Sequence, residues 1–285
     1  KNRRYMKTHA KVKIAKLIFN ILIFFGFKKK LFTKKSSINW HLDLSEGIDL
    51  SIFLFGSFQG DLVKSIFKTI IDHKNDKNSF FNIIDIGSNI GDKSLSLSKK
   101  LLNKNFYDFK IFSVEPTDYA FKKQIRNINL NPNLKKKILP LKFYISNNKF
   151  KPKEIYSSWK LDSKTTPHKV HRGILKKINK STKTITLDKF VQKNKIKNKI
   201  ILKIDVDGFE MDVLKSFTKT LYNKDPIIFM EYAPYAFEEY GSSVVEFNNF
   251  LKKYKYKTYD LNFKKLDKIK ITDGSSKDIV LIKDK

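Results

Sequence analysis

The chain has 285 residues, with 59 lysines and arginines against 28 acids, a formal charge of +31 and no cysteine. That length suits one α/β domain with decorations and a full core, and the missing thiols exclude a disulfide framework, thiolate metal ligation and a cysteine nucleophile. The charge invites nucleic acid, but only Arg3, Arg4, Arg126 and Arg172 are arginine; phosphate and base recognition favours arginine's fork, so nucleic acid is not the expected partner.

The chain opens on Lys1 and not on methionine, so its natural start is expected further upstream. Lys11 to Phe27 is the first apolar segment, dominated by Ile14, Leu17, Ile18, Ile21, Leu22, Phe24 and Phe25. Its uncharged run is eleven residues, short of the ~20 that cross a bilayer. Lys28-Lys29-Lys30 follows where a signal peptide has small residues. Two readings stay open: a helix packed on the domain, or a basic interfacial helix, residues 11–30, on the inner face of a membrane. The protein is otherwise expected in the cytoplasm. Residues 1–38 read as a basic amphipathic extension and residues 39–285 as the main domain. Trp40 to Phe58 alternates in part, with Gly47, Gly56 and Gly60 as punctuation, and predicts short strands in a hairpin. Asp61 is expected to cap a helix with Leu62, Val63, Ile66, Phe67, Ile70 and Ile71 on one face.

Phe81 to Gly91 reads as a buried parallel strand, a tight turn and a helix start. Gly87 and Gly91 let the backbone turn sharply and approach a ligand that a Cβ would hold off. Asp85 at the strand end can fix the turn or reach that ligand. A second strand, Lys110 to Val114, puts Glu115 at its carboxyl end, where an acid accepts hydrogen bonds from ribose hydroxyls. A dinucleotide fingerprint wants glycine at the position of Asn89, so a nucleoside without a diphosphate fits better.

Ile138 to Ile145 predicts a third strand, with Ser146 at its end as a candidate contact to an adenine edge. Residues 149–183 read as a lysine-rich surface insertion. Within it, His168 and His171 have a spacing that can share a metal on a helix, with no third ligand nearby. Ile200 to Ile204 is the fourth strand, followed at once by Asp205, Asp207 and Glu210. Ligands in open α/β sheets bind outside the carboxyl ends of strands, so these acids are candidates for chemistry. They fail the pattern of a calcium loop, since Glu210 stands where its glycine belongs. Glu210 can instead cap the next helix while Gly208 makes the turn. A fifth strand, Ile227 to Met230, brings Glu231 to the same edge, and two closing strands suit an antiparallel hairpin.

The runs Asp85 to Gly91, Val114-Glu115-Pro116, Thr186-Leu187-Asp188 and Lys203 to Glu210 resemble the FkbM-type S-adenosylmethionine-dependent methyltransferases. The resemblance implies an α/β class I methyltransferase (Rossmann-like) fold. Its sheet is a mostly parallel seven-stranded one with an antiparallel last strand, preceded here by a helical and hairpin extension. It implies S-adenosylmethionine as cofactor and methyl transfer to a hydroxyl of a sugar, glycan or natural product. The cofactor residues are then Asp85, Gly87, Asn89, Gly91, Glu115 and Ser146. Asp205 is the first candidate for the base, with Asp207 and Glu231 behind it, and a divalent ion held by Asp205 and Asp207 stays open. Three positions depart from the family: Asp207 for a common glutamate, Ser88 for alanine, and Tyr232-Ala233-Pro234 for a histidine-proline pair. A nucleoside-binding protein without catalysis, or an RNA or protein methyltransferase, is the alternative.

Overall fold

Short apolar runs alternating with amphipathic stripes predict a chain that alternates strand and helix. The computed structural model, which describes residues 8–76, 79–147, 151–162, 173–197, 199–269, 271 and 275–284, has that form. The chain begins with α1 (Thr8–Phe24), β1 (Lys30–Lys35), β2 (Ile38–Asp43), α2 (Gly47–Phe55) and α3 (Gly60–Asp72). Its first half continues with β3 (Phe81–Ile86), α4 (Asp92–Leu102), β4 (Phe109–Val114), α5 (Asp118–Asn129), α6 (Pro132–Lys135), β5 (Ile138–Leu141) and β6 (Phe143–Ile145). The lysine-rich segment supplies β7 (Glu154–Trp159) and β8 (Gly173–Lys177), and β9 (Lys183–Ile185) and α7 (Leu187–Lys193) come next. The rest is β10 (Lys199–Ile204), α8 (Glu210–Lys215), α9 (Thr218–Lys224), β11 (Ile227–Tyr232), α10 (Pro234–Glu239), α11 (Val244–Tyr254), β12 (Tyr256–Tyr259) and β13 (Lys277–Lys283).

Seven strands form the central sheet in the order β12-β13-β11-β10-β3-β4-β5. Pairings from β11 through β10, β3 and β4 to β5 are all parallel, and β13 runs antiparallel between β11 and β12. This α/β sheet, parallel except for its last strand, is the one expected of a class I methyltransferase. Successive side chains of a strand point to opposite faces. Accordingly Ile83, Ile111 and Ile201 enter one core, and Ile84, Phe112 and Leu202 the other. The register pairs Ile86 with both Val114 and Ile204. The carboxyl ends of β3, β4 and β10 are therefore level, and the residues just beyond them share one edge of the sheet.

The hairpin expected over Trp40–Phe58 lies earlier, at Lys30–Asp43, and Gly47–Phe55 is a helix. The alternating Ile48, Leu50, Ile52 and Leu54 mimic a strand. Tertiary pairing overrides that pattern: Asp49 is buried against the Lys123 ammonium at 2.6 Å, and Gly56 ends the helix with φ +77°. Asp61 stands in the first turn of α3, paired with Lys64 at 2.8 Å, and the position before the helix is Gln59. The third strand breaks at Lys142, since β5 joins the main sheet and β6 pairs with β9. The hairpin β1–β2 runs across residue 38, and Phe19 of α1 sits in the same core as Trp40 and Phe81. Residues 8–43 thus share their core with the sheet. The pair His168 and His171, and Asp273 and Gly274 between the two closing strands, lie outside the described residues.

Candidate active site

Gly87 follows β3 with φ +72°, and a Cβ there would overlap the carbonyl oxygen of Asp205. The turn after β3 and the end of β10 therefore touch, which only glycine permits. Asn89 is also left-handed, at φ +48°. The N–H groups of Gly87 and Ser88 donate to the Val114 carbonyl at 3.0 and 3.1 Å. That of Asn89 donates to the Glu115 carboxylate at 3.1 Å. The other Glu115 oxygen accepts from the Thr117 N–H at 3.0 Å and its hydroxyl at 2.6 Å. Burial pushes the Glu115 carboxyl up, and these hydrogen bonds oppose the rise. The oxygen that accepts from Asn89 keeps acceptor capacity, and Glu115 lines the cavity.

Beneath the turn lies a buried charge that sequence reasoning passed over. Lys203 is buried in β10 and donates to the carbonyls of Gly87 at 3.0 Å and Ile86 at 3.3 Å. Its ammonium lies 3.2 Å from Asp85 and 3.6 Å from Asp205. Burial disfavours that charge, but Asp85 and then Asp205 outweigh it and push Lys203 up. Asp85 also accepts from Ser94 at 2.7 Å, and Ser94 meets Ser113 at 2.7 Å. Asp85 accordingly anchors the turn from below. The available signal was a lone lysine in an apolar strand.

The acids at the sheet edge divide by environment. Glu210 is buried and accepts from the N–H groups of Val206 at 3.1 Å and Gly208 at 3.3 Å. Burial pushes its carboxyl up to about 7. It holds the loop after β10, with Gly208 at φ +108° beneath the Tyr240 ring, which a Cβ would meet at 2.6 Å. Asp205, Asp207 and Glu231 instead line an open cleft. Asp207 is exposed to solvent in the cleft. Protein packed around it, then Asp205 and Glu210, push its carboxyl up, and water at its exposed side screens the effect. Burial, then Asp205 and Asp207, raise Glu231, which accepts a hydrogen bond from Ser276. Among the described residues no group of three or more His, Asp or Glu is arranged to hold a metal ion.

Two concavities meet here, sharing Gly87, Asn89, Tyr156, Ser157, Asp205 and Asp207. The narrower, about 600 Å³ counted out to open solvent, has Glu115 among apolar walls from Val114, Phe143, Tyr144, Ile145 and Phe209. No lysine or arginine lines it among the described residues, so a pyrophosphate finds no counter-charge while a nucleoside finds apolar walls and a ribose acceptor. Ser146 is buried one residue past Ile145. The wider, about 1340 Å³ by the same count, is lined by Lys11, Lys93, Trp159, Glu231 and Tyr235 among others. Tyr156 and Ser157 belong to β7, so the lysine-rich insertion forms a wall of the site as well as surface.

The chain is 27% identical over 149 residues to the hexuronic acid methyltransferase AglP of Haloferax volcanii. That match covers 50% of this chain and 53% of the relative, so the chain spans about half the length of the curated protein it matches. Among solved structures, it is similar to a methyltransferase FkbM from Methylobacillus flagellatus at 14% identity, over 70% of this chain and 43% of that one, with a TM-score of 0.42. It is also similar to an S-adenosylmethionine-dependent methyltransferase from Clostridium acetobutylicum at 9% identity, over 82% and 95%, with a TM-score of 0.43. A family model for the methyltransferase FkbM domain matches residues 85–258, from the end of β3 into β12, and the chain belongs to that family of methyltransferases.

Proposed function

We propose that the protein is an S-adenosylmethionine-dependent O-methyltransferase whose acceptor is a hydroxyl of a sugar or glycan. The observation that carries this reading is the shared wall of the two concavities. Asp205 and Asp207 border the narrow, nucleoside-like one and the wide, polar one at once. When bound, the cofactor supplies a methyl group made electrophilic by its sulfonium. The residues that would hold it are Gly87, Asn89 and Glu115, with Asp85 and Gly91 fixing the turn; Ser146 is buried beyond Ile145 and lines neither concavity. Alignment of acceptor and donor in adjoining cavities can contribute ~7–11 kcal/mol through effective molarity.

A hydroxyl acceptor must also lose its proton, and Asp207 is our choice to take it. Asp205 lies 3.6 Å from the Lys203 ammonium, which ties it to the turn. Asp207, raised by desolvation and by its acidic neighbours and open to the cleft, is free to accept a proton when ionised. Glu231, raised in the same way, is placed in the wide cleft to hold the acceptor. A sugar acceptor is supported by the lining of that cleft: Trp159 offers a ring face, and Gln59, Ser158 and Tyr235 offer hydrogen-bonding groups. The relative AglP, a hexuronic acid methyltransferase by name, supports the same class, and Lys93 adds a cation for an acidic sugar.

The test is transfer of labelled methyl from the cofactor to a panel of hexuronic acids, neutral hexosides and RNA. Mild alkali cleaves a methyl ester and spares a methyl ether, so lability of the product assigns the acceptor oxygen. Label on RNA alone, or on no sugar while the cofactor is bound, removes this reading.

A further inference from the structure

Helix α1 buries one face and leaves a second apolar face uncovered. Ala15, Ile18, Phe19 and Leu22 pack on the core. Ile14, Leu17, Ile21 and Phe24, at i, i+3, i+7 and i+10, form a separate stripe that is exposed. Phe24 is 84% exposed, the following Phe25 73%, and Phe55 at the end of α2 75%. These ends lie together, since Phe27 meets Phe53 edge-on at 5.8 Å and the Lys35 ammonium stands 4.7 Å from that same ring. Side chains this apolar and this exposed, gathered at one end of a molecule, mark an interaction surface.

The charge around the surface indicates the partner. Twelve lysines and arginines precede Asp43, and no acid does. Lys13 and Lys16 are exposed on α1, and Lys28, Lys30 and Lys34 are exposed just beyond it. A second copy of the chain docking through the same patch would oppose two such cationic surfaces. The exposed groups form one stripe along α1 with large aromatic side chains at its end, a pattern that suits insertion into a fluid apolar phase. We propose that this face of α1, with the tip at Phe24, Phe25 and Phe55, seats on an anionic lipid bilayer. Apolar insertion and a polybasic fringe are the two signals that stable peripheral binding requires. Among the described residues no single helix is long and apolar enough to cross a membrane, so the helix lies in the interface. Lys11, on the first turns of α1, lines the wide cleft, which sets the cleft beside the lipid headgroups.

The experiment is co-sedimentation of the full chain with vesicles of phosphatidylcholine alone and of phosphatidylcholine with roughly one-third phosphatidylglycerol, at moderate salt. Strong binding to the anionic vesicles, weak binding to the neutral ones, and loss of at least ~10-fold in partitioning for Leu17→Glu/Phe24→Glu are expected. Both residues are exposed, so circular dichroism of the variant should match the parent. Phe25→Ser/Phe55→Ser, outside the helix, gives an independent reading if the first variant misfolds. Equal partitioning on both vesicles overturns the proposal, as does unchanged binding of the variants. So does a parent that is dimeric without lipid and becomes monomeric on Leu17→Glu/Phe24→Glu.

Discussion

The Lys203 ammonium lies 3.2 Å from the Asp85 carboxylate, with both side chains 3% exposed. The pair spans neighbouring central strands, β10 and β3, and the same ammonium holds the Gly87 carbonyl at 3.0 Å. One buried cation thus links the sheet to the turn that shapes the narrow cavity. Removing one partner of a buried pair leaves an uncompensated charge, which costs about 3–5 kcal/mol. Lys203→Met should lower stability by that order in urea unfolding, and Asp85→Asn/Lys203→Met should recover part of it. A Lys203→Met variant as stable as the parent would contradict this account of the turn.

Gly87→Ala should act on the site more than on the core. The new Cβ overlaps the Asp205 carbonyl, and the residue sits at φ +72°. The turn must move off β10, which also displaces Asn89 and its bond to Glu115. Calorimetry should show cofactor affinity weakened by at least ~10-fold, about 1.4 kcal/mol. Unchanged affinity would mean that the turn does not form the cavity wall against the ligand.

Glu210 makes stability depend on pH. Its folded value, about 7, lies above its ordinary 4.5 because of burial, so the native state holds the proton longer than the unfolded chain. The stabilisation that protonation brings is full below about pH 4.5 and is lost as pH rises through about 7. At 1.36 kcal/mol per unit this amounts to about 3 kcal/mol as an upper bound. Glu210→Gln keeps a carbonyl for the Val206 and Gly208 N–H groups and removes the ionisation. Its unfolding free energy should be flatter than that of the parent over this window. Parallel pH profiles would show that Glu210 does not titrate there.

These residues mark what could be read in the chain. β3, its glycine turn and the acids after β10 were legible because apolar runs and glycines are local signals. The partnership of Lys203 with Asp85 was not, since it joins strands more than a hundred residues apart and a lysine in a strand carries no mark of its partner. Glu210 was legible as a structural group, although it holds the loop before its helix. The segment Gly47–Phe55 read as a strand because its apolar period is two, and the burial of Asp49 by Lys123 of α5 decides for helix. The insertion read as surface from its lysines, while Tyr156 and Ser157 between them turn to the site. Which of Asp205, Asp207 and Glu231 takes a proton depends on their spacing and enclosure, which no local pattern encodes.

Glu115 should discriminate between cofactors. The cavity it lines has no basic wall among the described residues, so titration should give tighter binding of S-adenosylmethionine than of NAD. Glu115→Ala removes a charged acceptor for ribose and the support of Asn89 and Thr117 together. A loss of about 1.5–3 kcal/mol in cofactor binding is expected. Glu115→Gln, which can still accept but carries no charge, should lose less. Tighter binding of NAD would remove the nucleoside reading of the cavity.

The assignment of the base is separable by comparing Asp207→Asn with Asp205→Asn, once an acceptor is in hand. Both changes keep size and remove basicity, and both residues line the two concavities. If Asp207 takes the proton, Asp207→Asn should lower turnover by about 10²-fold or more, with cofactor affinity little changed. Its effect should shrink toward high pH, where the acceptor ionises without help. Asp205→Asn removes the second partner of Lys203 at 3.6 Å, so it should disturb the turn and weaken cofactor binding while retaining more turnover at saturation. Adding Mg²⁺ or a chelator tests the remaining role for this pair. A rate that follows the ion in the parent and not in Asp207→Asn would give Asp207 a metal to hold in place of a proton to accept. The reverse ranking, with Asp205→Asn inactive and Asp207→Asn active, would return the base to Asp205.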